Sequence, residues 1–172
     1  MLNGKGFRHN VGIILARQDN TLFWGQRYHK TGWQFPQGGI QQHESIEDAM
    51  YRELYEEVGL KAADVRVIHQ TNRWYYYYLP ERLKSSKKYT TGGDCIGQKQ
   101  QWFLLRLVSN PNRIDLYKTG QPEFADWRWV SYWFPLHAIV AFKQPVYRKV
   151  LSFMAPSLWQ DHQEFVKRGS GK

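Results

Sequence analysis

Glu53, Glu56 and Glu57 stand at the spacing i, i+3 and i+4. On a helix those positions share one face, so the three carboxylates project together, and each close pair of like charges costs roughly a few tenths of a kcal/mol. A divalent cation among them removes that repulsion, and an all-oxygen ligand set suits Mg²⁺ or Mn²⁺ over zinc. The spacing alone also fits a solvated acidic face. The helix itself is legible: Ser45 reads as N-cap with Asp48 as its capping-box partner, and Ile46, Ala49, Met50 and Leu54 recur at helical spacing before Gly59 supplies the stop. The pattern predicts about three to four turns.

Around this helix Gly38, Glu44, Arg52-Glu53-Leu54, Glu56-Glu57 and Gly59-Leu60 match G-x5-E-x7-R-E-U-x-E-E-x-G-U, with U apolar, at all nine defined positions. The chain therefore resembles the Nudix hydrolases. The resemblance implies metal-dependent hydrolysis of a nucleoside diphosphate linked to another group.

The 172 residues are enough for one domain with its own core and short for two, so residues 1–172 read as a single domain. Its core spans about 6–154, followed by a helical extension and a frayed tail from Gly169. The lone cysteine, Cys95, excludes an internal disulfide framework and fits a reducing compartment. The opening MLNGKGFRHN lacks an apolar signal core, and the apolar run Val11 to Ala16 is too short to span a bilayer. A cytoplasmic protein without a membrane partner is expected. The net charge of +9 is uneven: residues 44–57 hold six carboxylates against one arginine. A basic body around an acidic patch suits a polyanion whose reacting phosphates are met by cations. Aromatic residues, at 16% of the chain, offer rings on which bases can stack.

Asn10 to Arg17 and Thr21 to Arg27 read as a β-hairpin, Trp33 to Gln37 as an extended piece, and Gly38-Gly39 as backbone able to approach a metal or phosphate. Val65 to Thr71, Arg73 to Leu79, Gly97 to Ser109 and Phe124 to Ser131 read as further strands, with a basic loop at Pro80 to Asp94. Pro135 to Phe142 and Val146 to Met154 read as helices separated by Pro145, with Ser157 to Lys167 as a third. This succession predicts an α/β protein with a mixed sheet between helices. The resemblance implies the same architecture, a Nudix-type α/β/α sandwich.

The segments FRHNVGIIL, WQFPQGGI, IGQKQQWFLL, PEFADWRWVSYWFP and AFKQPVYRKV are also similar to the bacterial RNA pyrophosphohydrolases, from about Gly6 to Met154. That likeness implies conversion of 5′-triphosphate RNA ends to 5′-monophosphate ends with release of pyrophosphate, a step that initiates mRNA decay. The implied partner is triphosphorylated or diphosphorylated RNA, and no protein partner is readable. Glu53, Glu56 and Glu57 then hold the metals, Glu123 adds a loop carboxylate, and Gly38 lets the backbone approach. Arg52 orients the carboxylates. Arg8, Arg27 and Lys143 meet phosphates, while Tyr77 and Phe142 stack on a base, although Phe142 equally suits the core of an amphipathic helix. Trp33, Phe35, Trp127 and Trp129 are expected in the core. The general base stays open among Glu53, Glu56, Glu57 and Glu123. A dinucleoside polyphosphate hydrolase is the nearest alternative. A non-catalytic RNA-binding module would need a missing carboxylate, and none is missing.

Overall fold

The computed structural model describes residues 6–28, 31–81 and 95–169. Its strands are β1 (Phe7–Ala16), β2 (Leu22–Arg27), β3 (Trp33–Gln34), β4 (Gln37–Gly39), β5 (Val65–Gln70), β6 (Tyr75–Tyr78), β7 (Gly97–Leu107) and β8 (Phe124–Val130). The helices are α1 (Ile46–Val58), α2 (Pro135–Ala138) and α3 (Gln144–Gly169), with single 3₁₀ turns at Ala62–Asp64, Pro111–Arg113 and Ala141–Lys143.

β1 and β7 form the spine, paired in parallel from Phe7 opposite Gly97 to Ala16 opposite Arg106. The sheet runs β3-β2-β1-β7-β5, with β4 added to β1, β6 to β7 and β8 to β2. In their second halves, 11–16 and 102–107, the spine strands are mainly apolar on both faces because a helix covers each face. Val11, Ile13, Leu15, Phe103 and Leu105 pack with Ala49, Met50, Leu54 and Val58 of α1. Ile14, Trp102 and Leu104 pack on the other side with Tyr147, Val150, Leu151 and Met154 of α3. The expected α/β/α sandwich is therefore present.

The expected hairpin is present: β1 and β2 are antiparallel and pair at Ala16 and Leu22, with the Arg17 N–H on Thr21 O at 2.9 Å, while β2 otherwise pairs with β3 and β8. Two local expectations are corrected. Pro145 does not separate two helices. It lies in the first turn of α3, where its missing N–H is no loss, and the helix continues through Pro156 to absorb the expected third helix. Among the four expected core aromatics Phe35 is fully buried, whereas Trp33, Trp127 and Trp129 are half-buried and pack against the core from its rim. The basic loop expected at Pro80 to Asp94 falls largely outside the described residues.

Candidate active site

α1 begins where the Asp48 amide donates to the Ser45 side-chain oxygen at 3.0 Å. The Ser45 hydroxyl donates in turn to Asp48 Oδ2 at 2.7 Å, so Asp48 returns to the cap side chain. Gly59 closes the helix in the left-handed conformation, with φ of 77° and its N–H on Tyr55 O. A Cβ there would also lie 2.5 Å from the Asp115 carbonyl oxygen.

The helix delivers its carboxylates unequally. Glu53 and Glu57 are buried and the Glu56 side chain is 46% exposed. Glu57 Oε2 accepts the Gln37 amide at 3.1 Å, which ties α1 to β4. Arg52 Nη1 donates to Glu53 at 2.7 Å and to Glu56 at 3.1 Å. Its Nε and Nη2 hold Glu44 at 2.7 and 2.9 Å, and Nη2 also reaches the Gly39 carbonyl at 2.8 Å. Arg52 thus pairs with Glu53 and Glu56, and Glu44 is the partner the sequence reading did not assign to it. The guanidinium holds Glu44 below the usual carboxylate range. Glu53 is displaced upward, because burial outweighs the pull of Arg52 and Arg8. Glycine at position 38 has a steric cause: a Cβ there would meet the Glu53 carboxylate within 1.8 to 2.0 Å.

These groups open onto a cleft of about 560 Å³. Gly38, Glu53, Glu56, Glu57 and Glu123 line it, Glu123 being brought to its mouth by the pairing of Phe124 with Arg27. Arg8, Arg27, Lys143, Tyr77 and Phe142 also line it. Of the nominated residues, only Arg52 acts from behind the lining. Lys143 is buried, and its Nζ donates to Gln34 Oε1 at 2.9 Å and Gln37 Oε1 at 3.2 Å. Tyr77 is 4% exposed, its hydroxyl donating to Gln98 and its ring 5.7 Å from that of Phe142. Phe142 is half-buried. The sequence reading missed the amide floor made by Asn10, Gln34, Gln37 and Gln98. Three of these amides are buried, which the strand pattern of the sequence does not reveal.

Among the described residues no three His, Cys, Asp or Glu side chains are gathered as a ready metal shell. Arg52 stands between Glu53 and Glu56 and pairs with both. The donor chemistry nonetheless fits a hard divalent cation: the carboxylates supply only oxygen, and Glu53 and Glu57 are buried.

A polar cleft in an α/β/α sandwich, faced by acidic and cationic groups together, suits a phosphorylated substrate met by cations. The NUDIX domain profile matches residues 6–152, and the chain belongs to that family of hydrolases, which generally depend on a divalent metal. The RNA pyrophosphohydrolase of Shewanella piezotolerans is 52% identical over 159 residues, covering 91% of this chain and 89% of its own. That of Pseudomonas paraeruginosa is 51% identical over 158 residues, covering 92% and 98%. Among solved structures, the E. coli dihydroneopterin triphosphate pyrophosphohydrolase aligns with a TM-score of 0.66 at 18% identity, over 84% of this chain and 97% of its own. A C. elegans Ap4A hydrolase binary complex aligns at 0.61 and 18%, over 87% and 98%. At that identity the two structures speak to the fold alone.

Proposed function

We propose that this protein hydrolyses the 5′-triphosphate end of RNA to a 5′-monophosphate with release of pyrophosphate, and so opens the RNA to decay. The observation that carries the reading is the cleft that joins four carboxylates, three cationic side chains and two aromatic rings. Relatives at about half identity over nearly the whole chain, named RNA pyrophosphohydrolase, support the same substrate.

Glu53, Glu56, Glu57 and Glu123 are the groups that would hold Mg²⁺ or Mn²⁺, with the Gly38 backbone close by. Bound there, such ions offset phosphate charge and make water a better nucleophile. Arg8, Arg27 and Lys143 hold phosphate oxygens, Lys143 being kept in place by Gln34 and Gln37. The proton of the attacking water passes to one of the four carboxylates. Arg52 fixes the directions of Glu53 and Glu56. The half-buried Phe142 stacks on a base, and the buried Tyr77, its ring 5.7 Å away, packs beside it.

Incubation of RNA labelled in its 5′ phosphates, with and without Mg²⁺, tests the reading: labelled pyrophosphate and 5′-monophosphate RNA are expected with the metal only. Faster hydrolysis of diadenosine tetraphosphate than of triphosphorylated RNA at equal concentration would overturn it.

A further inference from the structure

β1, β6 and β7 alternate between two faces at their shared end. On one face Arg8, Tyr77 and Gln98 line the cleft. On the other, Phe7, Tyr76, Tyr78, His9, Trp74 and Lys99 form an aromatic surface on strand ends that lie beyond the rows of β1 and β7 packed under α1. Phe7 meets the edges of Tyr76 and Tyr78 at 5.3 Å each, so a buried ring fixes two exposed ones. Tyr78 is 66% and Tyr76 49% exposed. Beside them Lys99 Nζ lies 4.6 Å from the Trp74 ring centre, and His9 lies 5.2 Å from the same ring.

We infer that this face carries the nucleotides of single-stranded RNA that follow the 5′ end held in the cleft. The inference rests on the function proposed above and extends its substrate beyond the first nucleotides. None of the six side chains is acidic, and Lys99 adds an ammonium where a backbone phosphate would pass. Rings held rigidly on a sheet suit unstacked bases of any sequence. The surface lies on the opposite side of the same strand ends from the cleft. Tyr76 and Tyr78 flank Tyr77 on one strand, and Arg8 lies between Phe7 and His9 on another, so a strand leaving the cleft crosses only the sheet edge to reach them.

The test compares a triphosphorylated dinucleotide with a triphosphorylated single strand of about 12 nucleotides, within the usual reach of such a surface. The wild-type protein and the triple variant Tyr76→Ala, Tyr78→Ala, Lys99→Ala are assayed on both. In the wild type the longer RNA is expected to have a KM lower by about tenfold or more, as stacking of two bases implies. The variant is expected to lose that gap while dinucleotide kinetics stay the same, and Tyr76→Phe with Tyr78→Phe retains it. No length gap in the wild type, a gap surviving in the variant, or an equal loss on both substrates would overturn the inference.

Binding of a 5′-hydroxyl RNA of the same length, followed by fluorescence anisotropy, separates this from the catalytic reading. Weaker binding by the variant supports the face even if wild-type hydrolysis of triphosphate ends fails, and unchanged binding overturns it. A dimer that the variant abolishes, with RNA binding intact, would assign the face to a second copy and overturn it as well.

Discussion

Two arginines sit among acids and carbonyls at opposite ends of the molecule. Arg52 on α1 meets Glu44, Glu53, Glu56 and the Gly39 carbonyl. Arg106 on β7 meets Asp161 through Nε at 2.9 Å and Nη2 at 2.8 Å, and also Asn20 Oδ1 and the Arg17 carbonyl. Asp161 takes a second arginine, Arg66, at 2.6 Å. Around Arg106 one carboxylate is shared by two cations and neutral carbonyls complete the shell, so the cluster is satisfied within the protein and pins α3 to the sheet. Around Arg52 one guanidinium serves three carboxylates, with Glu57 and Glu123 close by on the same cleft. In the first cluster cations outnumber the carboxylate, whereas in the second one guanidinium is divided among three carboxylates. The carboxyl groups register the contrast. Burial opposes Asp161, but Arg66 and Arg106 pull it below its usual value, whereas burial wins at Glu53 and lifts it.

The largest effect follows from removing charge where it is in surplus. Glu53→Gln or Glu57→Gln is expected to cut hydrolysis by about 10²- to 10⁴-fold, with an unchanged melting temperature and retained RNA binding. Steady-state rates at saturating Mg²⁺ check this, and turnover near that of the wild type would erase the contrast. At the satisfied cluster the effect moves to stability. Asp161→Asn leaves a guanidinium that is 5% exposed without its counter-charge, at a cost of about 3 kcal/mol. The rate per folded molecule is expected to stay the same. Because the Asp161 pKa is depressed on folding, its contribution is present above its ordinary value of 3.8 and is lost as pH falls through the folded value. Acid titration by circular dichroism is expected to show a shallower loss of stability in the Asn variant below about pH 4.

The unequal legibility of these clusters has a physical cause. The acidic helix could be read because its cap, its stop and its carboxylates lie within one local, periodic segment, and local spacing fixes which side chains share a face. The Arg106 cluster joins residues from Asn20 to Asp161, and no local pattern announces such a partnership. The same limit hid Glu44 as the bidentate partner of Arg52, and the amides beneath Lys143. Pro145 misled for a related reason: proline is equally compatible with ending one helix and with starting the next, and packing of Val146, Tyr147 and Val150 on the sheet decides for the start.

A smaller effect is expected at the aromatic side of the cleft. Phe142→Ala removes a half-exposed ring and is expected to weaken RNA binding by about 1 to 3 kcal/mol with little change in melting temperature. Hydrolysis of a lone nucleoside triphosphate, which has no second base, is expected to be unaffected. Tyr77→Ala behaves differently because that ring is almost wholly buried beside Phe142. It should lower the melting temperature and depress both activities together. Equal behaviour of the two variants would remove the division of labour between a stacking ring and its support.

The smallest effect concerns the cations that face the surplus acids. Arg27 lines the cleft where its strand pairs with Phe124, and the Lys143 amine donates to the side-chain oxygens of Gln34 and Gln37. If each meets one phosphate, Arg27→Ala or Lys143→Ala should flatten the dependence of log affinity on log salt by about 0.7. The two variants separate on stability: Lys143→Ala also strands the buried Gln34 oxygen, at about 1 kcal/mol or more, while the Gln37 oxygen keeps Gln100 and Arg27→Ala leaves no comparable gap. Binding titrations from low to moderate salt, paired with melting curves, distinguish the outcomes. An unchanged slope in both variants would take these residues off the path of the phosphates and reduce the basic side of the cleft to a counterweight for its carboxylates.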